Sequence, residues 1–242
     1  MNAPHPIETF DYDSIPVGYY DEVFRRSRGI QSKWHHQKFA RVRLEIPPGS
    51  RLLDVGCGPG TFLGSMPVDS ACLGLDIAKP QIDYAQARYA TEARSFALMT
   101  PGQLPVPSAA YDVVTIVELL EHITRDEAAQ LLTECLRVLR PGGKIVLTTP
   151  NYGCLWPPLE FLTNRLGKVS YADQHITKYR APLLRELLGS TGFAGVQVET
   201  CLFSGPFFAA LGWSLADTMA RIEPAFLSRR LGHLLIGRAT KP

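Results

Sequence analysis

Two carboxylates and an imidazole lie within five positions of one another in "VELLEHIT", residues 117–124. Glu118, Glu121 and His122 directly follow the apolar run "YDVVTIV", which is typical of a buried strand. If a helical turn begins at Glu118, the three side chains fall at i, i+3 and i+4 and share one face. Such a set could be an acid–base pair, a metal site or a solvated turn.

Each of the three interpretations assigns different roles. In the first, His122 is the general base and Glu121 a second catalytic residue, because histidine side chains titrate near neutral pH. In the second, the site binds a metal ion through a mixed set of oxygen and nitrogen ligands. The ligands would be Glu118, Glu121, His122 and a later histidine, His175 in "DQHITKYR". Zn, Mn or Fe would accept that set at least as well as Mg. In the third, Glu121 and His122 belong to a solvated turn.

A second candidate site is "LLDVGCGPGTFL", in which a strand runs into a glycine-rich turn and then a helix. Gly56, Gly58 and Gly60 offer main chain without side chains, which can turn tightly beside a bound molecule. Nicotinamide and flavin enzymes use a similar turn, so the glycines alone do not identify the ligand. The spacing here is G-x-G-x-G rather than G-x-G-x-x-G, and Asp54 lies two residues before the first glycine.

The elements around these residues predict an α/β fold. From Arg51 onward, short apolar runs alternate with helical patterns, as in a parallel sheet with helices on both faces. The predicted strands are 51–55, 71–76, 95–98, 111–117, 143–150, 195–203 and 231–239. The predicted helices are 31–46, 79–93, 124–139, 180–193 and 205–224. Thr124 and Glu127 have the spacing of a capping box at the start of the third helix.

Four segments occur in a fixed order over roughly residues 50–150: "LLDVGCGPGTFL", "CLGLDIA", "YDVVTIVELLEHI" and "LRVLRPGGKIVLTTPN". Their combination resembles the class I S-adenosylmethionine-dependent methyltransferases. The resemblance implies a Rossmann-like, seven-stranded, mostly parallel sheet whose last strand is antiparallel. It also implies a methyltransferase domain at 49–242, with acceptor-side insertions at 151–177 and 204–230. Residues 1–48 would then be an N-terminal lid that contacts the substrate.

The same resemblance implies how S-adenosylmethionine would be held. The residues implied to bind it are Asp54, Gly56, Cys57, Gly58, Gly60, Asp76, Ile77, Thr100 and Glu118. Asp54 would lie near the ammonium group, Asp76 would accept hydrogen bonds from the ribose hydroxyls, and Ile77 would cover the adenine. Thr100 stands where the family commonly has an acidic residue that binds the adenine amine, so adenine recognition departs from the family pattern.

The "ELLEH" segment is similar to the E-x-x-E-H of ubiquinone-biosynthesis O-methyltransferases and of small-RNA 2′-O-methyltransferases. In the RNA enzymes these residues and a later histidine bind a divalent ion. This resemblance implies methyl transfer to an oxygen nucleophile, with a divalent metal as an optional second cofactor.

The acceptor is predicted from the segments outside the motifs. Residues 1–48, 151–177 and 204–230 are rich in aromatic side chains, which suits a flat or apolar small molecule or a lipid-linked acceptor. The formal net charge of +2, without a run of like charges, argues against a nucleic-acid surface. Basic residues between positions 25 and 43 keep an RNA acceptor open as an alternative. A second alternative is a protein that binds S-adenosylmethionine without catalysing methyl transfer.

Apolar residues at helical spacing in 205–224 suggest a further surface. Phe208, Leu211, Leu215, Met219 and Ile222 could cap a pocket, form a homodimer seam or make a peripheral membrane contact. The N-terminus "MNAPHPIETFDYDS" lacks the features of a signal peptide, and the five cysteines are scattered without a CxxC pair. We therefore expect a cytoplasmic protein with reduced thiols.

Overall fold

The computed structural model describes residues 16–67, 70–154, 157 and 175–242. The strands are β1 (Leu52–Val55), β2 (Cys72–Asp76), β3 (Arg94–Leu98), β4 (Tyr111–Val117), β5 (Leu139–Pro150), β6 (Ala194–Cys201) and β7 (Leu234–Thr240). The helices are α1 (Tyr19–Arg25), α2 (Gly29–Arg43), α3 (Thr61–Gly64), α4 (Lys79–Tyr89), α5 (Arg125–Val138), α6 (Ala181–Ser190), α7 (Trp213–Ile222) and α8 (Ala225–Leu231). Short 3₁₀ turns span Leu120–His122 and Gly205–Ala210.

The strands form one sheet in the order β3-β2-β1-β4-β5-β7-β6. Strands β1 to β5 pair in parallel, whereas β7 is antiparallel to both of its neighbours, β5 and β6. The predicted α/β class, with its antiparallel last strand, is confirmed. Because β1, β2, β4 and β5 are parallel, their carboxyl ends meet at one edge, and the candidate residues follow those ends.

Helices pack on both faces of the sheet, as predicted. On one face, Leu132 of α5 and Leu188 of α6 pack with strand residues such as Val114. On the other, Val42 of α2 and Phe62 of α3 are buried in a second apolar cluster. Strands buried on both faces need apolar side chains at successive positions, which accounts for the continuous apolar runs in the sequence.

The start of α5 confirms the predicted capping box. The Glu127 N–H donates to Thr124 Oγ1 (3.3 Å), and the Thr124 N–H donates to Glu127 Oε2 (2.8 Å). These reciprocal bonds satisfy main-chain donors that a helix start leaves unpaired, so the helix has a defined beginning just after the 3₁₀ turn.

The described part of the N-terminal segment is fixed to α4. Asp21 is fully buried and accepts hydrogen bonds from the hydroxyls of Tyr84 (2.9 Å) and Tyr89. The Gly18 N–H donates to Gln81 Oε1 (3.2 Å). Gly18 and α1 therefore lie beside the helix that follows β2, while the lid function of residues 1–48 stays a prediction.

Several element boundaries differ from the sequence prediction, and three of these differences have a clear local cause. Helix α4 ends at Tyr89 rather than near position 93, because the backbone at Ala90 is extended. The predicted helix 205–224 is instead a 3₁₀ turn followed by α7, with an extended backbone at Gly212 between them. Strand β7 begins at Leu234 because residues 225–231 form α8. Of the predicted insertion at 151–177, residues 155–156 and 158–174 lie outside the described residues.

Two further observations concern the cysteines and membrane-spanning segments. None of the five cysteines forms a disulfide bond in the structure. Among the described residues, none of the helices combines the length and the hydropathy that crossing a membrane requires.

Candidate active site

The glycine loop between β1 and α3 leaves space at one position only. Gly56, Gly58 and Gly60 have left-handed φ angles of 74°, 51° and 74°. A Cβ atom at Gly56 would lie 2.8 Å from Leu119 Cδ2, and one at Gly60 would lie 2.7 Å from the Phe96 ring. A Cβ atom at Gly58 would meet nothing within 4 Å. Packing therefore explains the first and third glycines, and Gly58 presents bare main chain to open space.

Asp76, at the end of β2, holds that loop in place. Its Oδ2 accepts a hydrogen bond from the Gly58 N–H (2.7 Å), and its Oδ1 accepts one from the Ala78 N–H (2.9 Å). A carboxylate oxygen can accept more than one bond, so both oxygens keep capacity for ligand hydroxyls. Burial raises the pKa of Asp76, although the bonds from Ala78 and Gly58 oppose that rise.

Asp54 is a buried acid at the end of β1. It is 2% exposed and accepts a hydrogen bond from Thr115 Oγ1 at 2.6 Å. Burial raises the pKa of Asp54 to about 7, even though the Thr115 bond favours the ionised form. Sequence reasoning missed Thr115, although the parallel register of β1 with β4 places it directly opposite Asp54. The threonine inside the apolar run "YDVVTIV" was the sequence feature that could have indicated this contact.

The remaining predicted donor-binding residues differ in accessibility. The Cys57 side chain is buried in the apolar cluster around Phe62, so only the main chain of this residue is available to a ligand. Ile77 is exposed directly after β2. Thr100 lines a cavity of about 400 Å³ together with Gln103 and Glu134. The structure leaves Ile77 and Thr100 reachable by a ligand, and their adenine contacts stay predictions.

No helical turn begins at Glu118, so the condition under which Glu118, Glu121 and His122 would share one face is not met. The Glu118 φ of 57° is left-handed, which is uncommon for a residue other than glycine, so the chain reverses there instead of starting a helical turn. Glu118 Oε2 lies 3.2 Å from Lys38 Nζ, and the Lys38 side chain is only 4% exposed. This ion pair joins α2 to the end of β4.

Glu121, His122 and His175 do come together. One potential ligand atom from each lies within 4.8 Å of those of the other two. His175 is brought to the 3₁₀ turn by Thr177, whose N–H donates to the Glu121 carbonyl (3.0 Å) and whose hydroxyl donates to the Ile123 carbonyl (2.7 Å). The Tyr152 hydroxyl bonds to His175 Nδ1 at 2.6 Å, a contact that the sequence did not predict.

The electrostatics of this group favour a neutral Glu121 when no cation is bound. Glu121 is 1% exposed, and burial, reinforced by the nearby Glu118 carboxylate, raises its pKa well above the usual range. Its Oε2 has no hydrogen-bond partner among the described residues. His122 is half-buried and is the most accessible of the three.

The group fits two kinds of chemistry. As an acid–base set, it offers an accessible imidazole beside a protonated carboxyl group. As a ligand set, it offers one carboxylate oxygen and two imidazoles, which suit Zn, Mn or Fe. A cation would satisfy the unpartnered oxygen of Glu121, so the residues present fit a divalent ion, with Glu118 outside the set.

The glycine loop and this group are adjacent. Leu119 packs against Gly56 and is flanked by Glu118 and the turn that carries Glu121 and His122. The side chains that could handle a proton therefore lie beside the loop where a donor would be held.

Aromatic side chains surround His233 at the same edge of the sheet. Its ring lies 6.4 Å from that of Trp34, 6.0 Å from that of Phe203 and 5.6 Å from that of Phe207. The His233 carbonyl accepts from the Asn151 N–H (2.8 Å), which places this wall at the end of β5. Burial lowers the pKa of His233, so the wall is uncharged at neutral pH.

The geometry agrees with comparisons to known proteins. Residues 53–147 match the family model described as a methyltransferase domain. A solved structure from Thermotoga maritima, described as an S-adenosylmethionine-dependent methyltransferase and possible histamine N-methyltransferase, superposes with a TM-score of 0.68 at 16% identity. That match covers 93% of this chain and 95% of the other. The chain therefore has the Rossmann-like fold of that solved methyltransferase.

Curated relatives match over part of their length. A probable S-adenosylmethionine-dependent methyltransferase of Mycolicibacterium smegmatis is 34% identical over 72% of this chain and 60% of its own. A ubiquinone biosynthesis O-methyltransferase of Vibrio atlanticus is 34% identical over 43% of this chain and 44% of its own. The chain thus spans less than two thirds of either relative. The narrower resemblance of "ELLEH" to the ubiquinone-biosynthesis and small-RNA enzymes stays a prediction.

We expect Gly58→Ala to abolish donor binding while the protein stays folded. The added methyl meets no protein atom but would occupy the open space in front of the loop. Gly49→Ala is the matched control, because Gly49 has a φ of 76°, also has open space around it, and lies outside the loop. Both changes cost about 1 kcal/mol of backbone strain. Calorimetric titration with S-adenosylhomocysteine should show binding in the control only; equal affinities in the two variants would contradict the assignment.

Proposed function

We propose that this protein transfers the methyl group of S-adenosylmethionine to an oxygen nucleophile of a small-molecule or lipid-linked acceptor. Two features carry the proposal: the bare main chain at Gly58, held by Asp76, and the accessible imidazole of His122 in the turn after Leu119, which packs against Gly56. The first suits a sulfonium nucleoside with a ribose, and the second suits a hydroxyl that must lose its proton.

The reaction is an in-line displacement at the methyl carbon. The acceptor oxygen forms a bond to that carbon while the carbon–sulfur bond breaks, and the bond electrons stay on sulfur to give S-adenosylhomocysteine. The acceptor proton passes to a base. The enzyme mainly holds the two reactants in line and excludes water, which is where most of the rate enhancement arises.

Within this scheme, the residues have separate roles. Asp76 accepts hydrogen bonds from the ribose, and Asp54 lies near the ammonium group of the donor, which favours its ionised form. His122 takes the acceptor proton. Burial raises the pKa of Glu121 and so disfavours its charged form.

Two observations support a small or lipid-linked acceptor over RNA. Several basic residues of the N-terminal segment form ion pairs within the chain and so have carboxylate partners already. The pairs are Lys33 with Asp217 (2.8 Å), Lys38 with Glu118 (3.2 Å) and Arg41 with Glu199 (3.3 Å). The wall around His233 is aromatic and uncharged, which suits an apolar ring or chain. The name of the Vibrio relative, a ubiquinone biosynthesis O-methyltransferase, points in the same direction.

His122→Ala should lower turnover by about 100-fold or more, the typical contribution of a general base, while donor affinity stays unchanged. The assay incubates the full chain with methyl-labelled donor and separate aqueous and lipid extracts, and mass spectrometry of the product identifies the methylated atom.

Full turnover in His122→Ala would remove the residue from the mechanism. A product methylated on nitrogen or carbon would overturn the oxygen acceptor but not methyl transfer. Donor binding without any labelled product would instead favour a protein that binds the donor without catalysis.

A divalent metal at Glu121, His122 and His175 is a second candidate, favoured by the unpartnered Oε2 of the buried Glu121. A bound cation would lower the pKa of an acceptor hydroxyl. These three residues would hold the ion, and Tyr152 would orient His175 through the bond to its Nδ1.

Metal binding can be tested without any acceptor. Mn²⁺ or Zn²⁺ at about 100 times its Kd should raise the Tm of the wild type by about 5–10 °C. Glu121→Gln should abolish that shift, whereas Asp83→Asn, which changes an exposed carboxylate on α4, should keep it. An equal shift in wild type and Glu121→Gln, or none in either together with activity that survives a chelator, would show that the group holds no metal.

A further inference from the structure

Helix α7 is apolar on two opposite faces. Its inner face packs on the protein: Ala216 is fully buried, and a Cβ atom at Gly205 would lie 2.8 Å from Ala220 Cβ. On the outer face, Leu215 and Ile222 are seven residues apart, so they lie on one side of the helix. They are 40% and 63% exposed.

Exposed apolar side chains also flank α7 in the sequence. Leu211, which precedes the helix, is 78% exposed, and Phe226 on α8 is 68% exposed. We call Leu211, Leu215, Ile222 and Phe226 the outer apolar patch. Large apolar side chains exposed together in one segment mark an interaction surface more often than isolated ones do.

Positive charge accompanies the outer apolar patch. Arg221, Arg229 and Arg230 are exposed, and no carboxylate of the described residues forms an ion pair with any of them. The acids of the segment have partners elsewhere. Asp217 pairs with the buried Lys33 (2.8 Å), and Glu223 accepts from the N–H and the hydroxyl of Ser204 (2.7 Å each).

The segment that carries the outer apolar patch also borders the candidate active site. The 3₁₀ turn Gly205–Ala210 precedes α7 and carries Phe207, whose ring lies 5.6 Å from that of His233. Lys33 of α2 pairs with Asp217 of α7 and lies 3.9 Å from the centre of the Trp213 ring. The described helices thus link this surface to the edge of the sheet where the acceptor would bind.

We propose that the outer apolar patch and its arginines dock on a membrane surface rich in anionic lipids. Exposed aliphatic and aromatic side chains enter the boundary between headgroups and acyl chains, and arginines are attracted to the anionic headgroups. Such docking would bring a lipid-linked acceptor to the sheet edge, and in this respect the inference rests on the proposed function. A two-fold self-contact through the same face is disfavoured because it would bring the arginines of both copies together.

The test is co-sedimentation of the full chain with two kinds of vesicle. One contains phosphatidylcholine alone, and the other contains phosphatidylcholine mixed with anionic phosphatidylglycerol. We expect binding to the anionic vesicles, weakened by salt. Phe226→Ser should weaken it about tenfold and Arg230→Gln about fivefold. The matched controls are Leu44→Ser, which changes a residue that is 76% exposed after α2, and Arg88→Gln on α4, and both should bind as the wild type does.

Failure of wild-type binding to anionic vesicles would overturn the docking surface, as would equal losses in Leu44→Ser and Phe226→Ser. Sedimentation velocity gives a further outcome: a dimer that Phe226→Ser dissociates would assign the patch to self-association instead. These measurements involve no methyl transfer. The membrane-docking proposal can therefore be overturned while the proposed function stands. The proposed function can likewise be overturned while membrane docking stands.

Discussion

The carboxylate of Asp76 is the contact on which the candidate active site depends. Its two oxygens accept from the main chain of Gly58 and Ala78 and so fix the glycine loop to the end of the second strand. The glycines have no side chains to hold the loop, so these bonds add to the buried Cys57 side chain and to the main-chain bonds from Gly56 and Cys57 to the Leu75 carbonyl. The same carboxylate keeps acceptor capacity for ligand hydroxyls, so one group both shapes the loop and faces the ligand.

The second constraint is the way the chain leaves the fourth strand. The left-handed backbone at Glu118 ends the strand abruptly and places Leu119 against Gly56. Backbone strain of this kind costs about 1–3 kcal/mol and persists where surrounding contacts fix it. Here the ion pair with the buried Lys38 is such a contact, and it ties the N-terminal segment to the turn that carries Glu121 and His122. The position of α2 and the geometry of the candidate proton-handling group are thus physically linked.

Features set by local sequence could be predicted, and those set by distant contacts could not. The capping box at Thr124 and the apolar strand runs depend on neighbours in the chain, and the structure confirms them. The antiparallel last strand came from the family resemblance, and it too is confirmed. By contrast, the Glu118–Lys38 pair and the Tyr152–His175 bond join residues far apart in sequence, and no spacing rule indicates them. The break before α7 was missed because an apolar stripe at helical spacing continues across Gly212 although the helix does not.

The most direct measurement is a calorimetric titration of S-adenosylhomocysteine into the wild type, Asp76→Ala and Asp83→Ala. Asp83 is a suitable control because it is an exposed carboxylate on the helix that follows Asp76. We predict binding to the wild type, an unchanged affinity in Asp83→Ala, and a loss of at least about 100-fold in Asp76→Ala, since two charge-assisted hydrogen bonds and the loop geometry are removed. No heat with the wild type, or equal affinities in the two variants, would contradict the account.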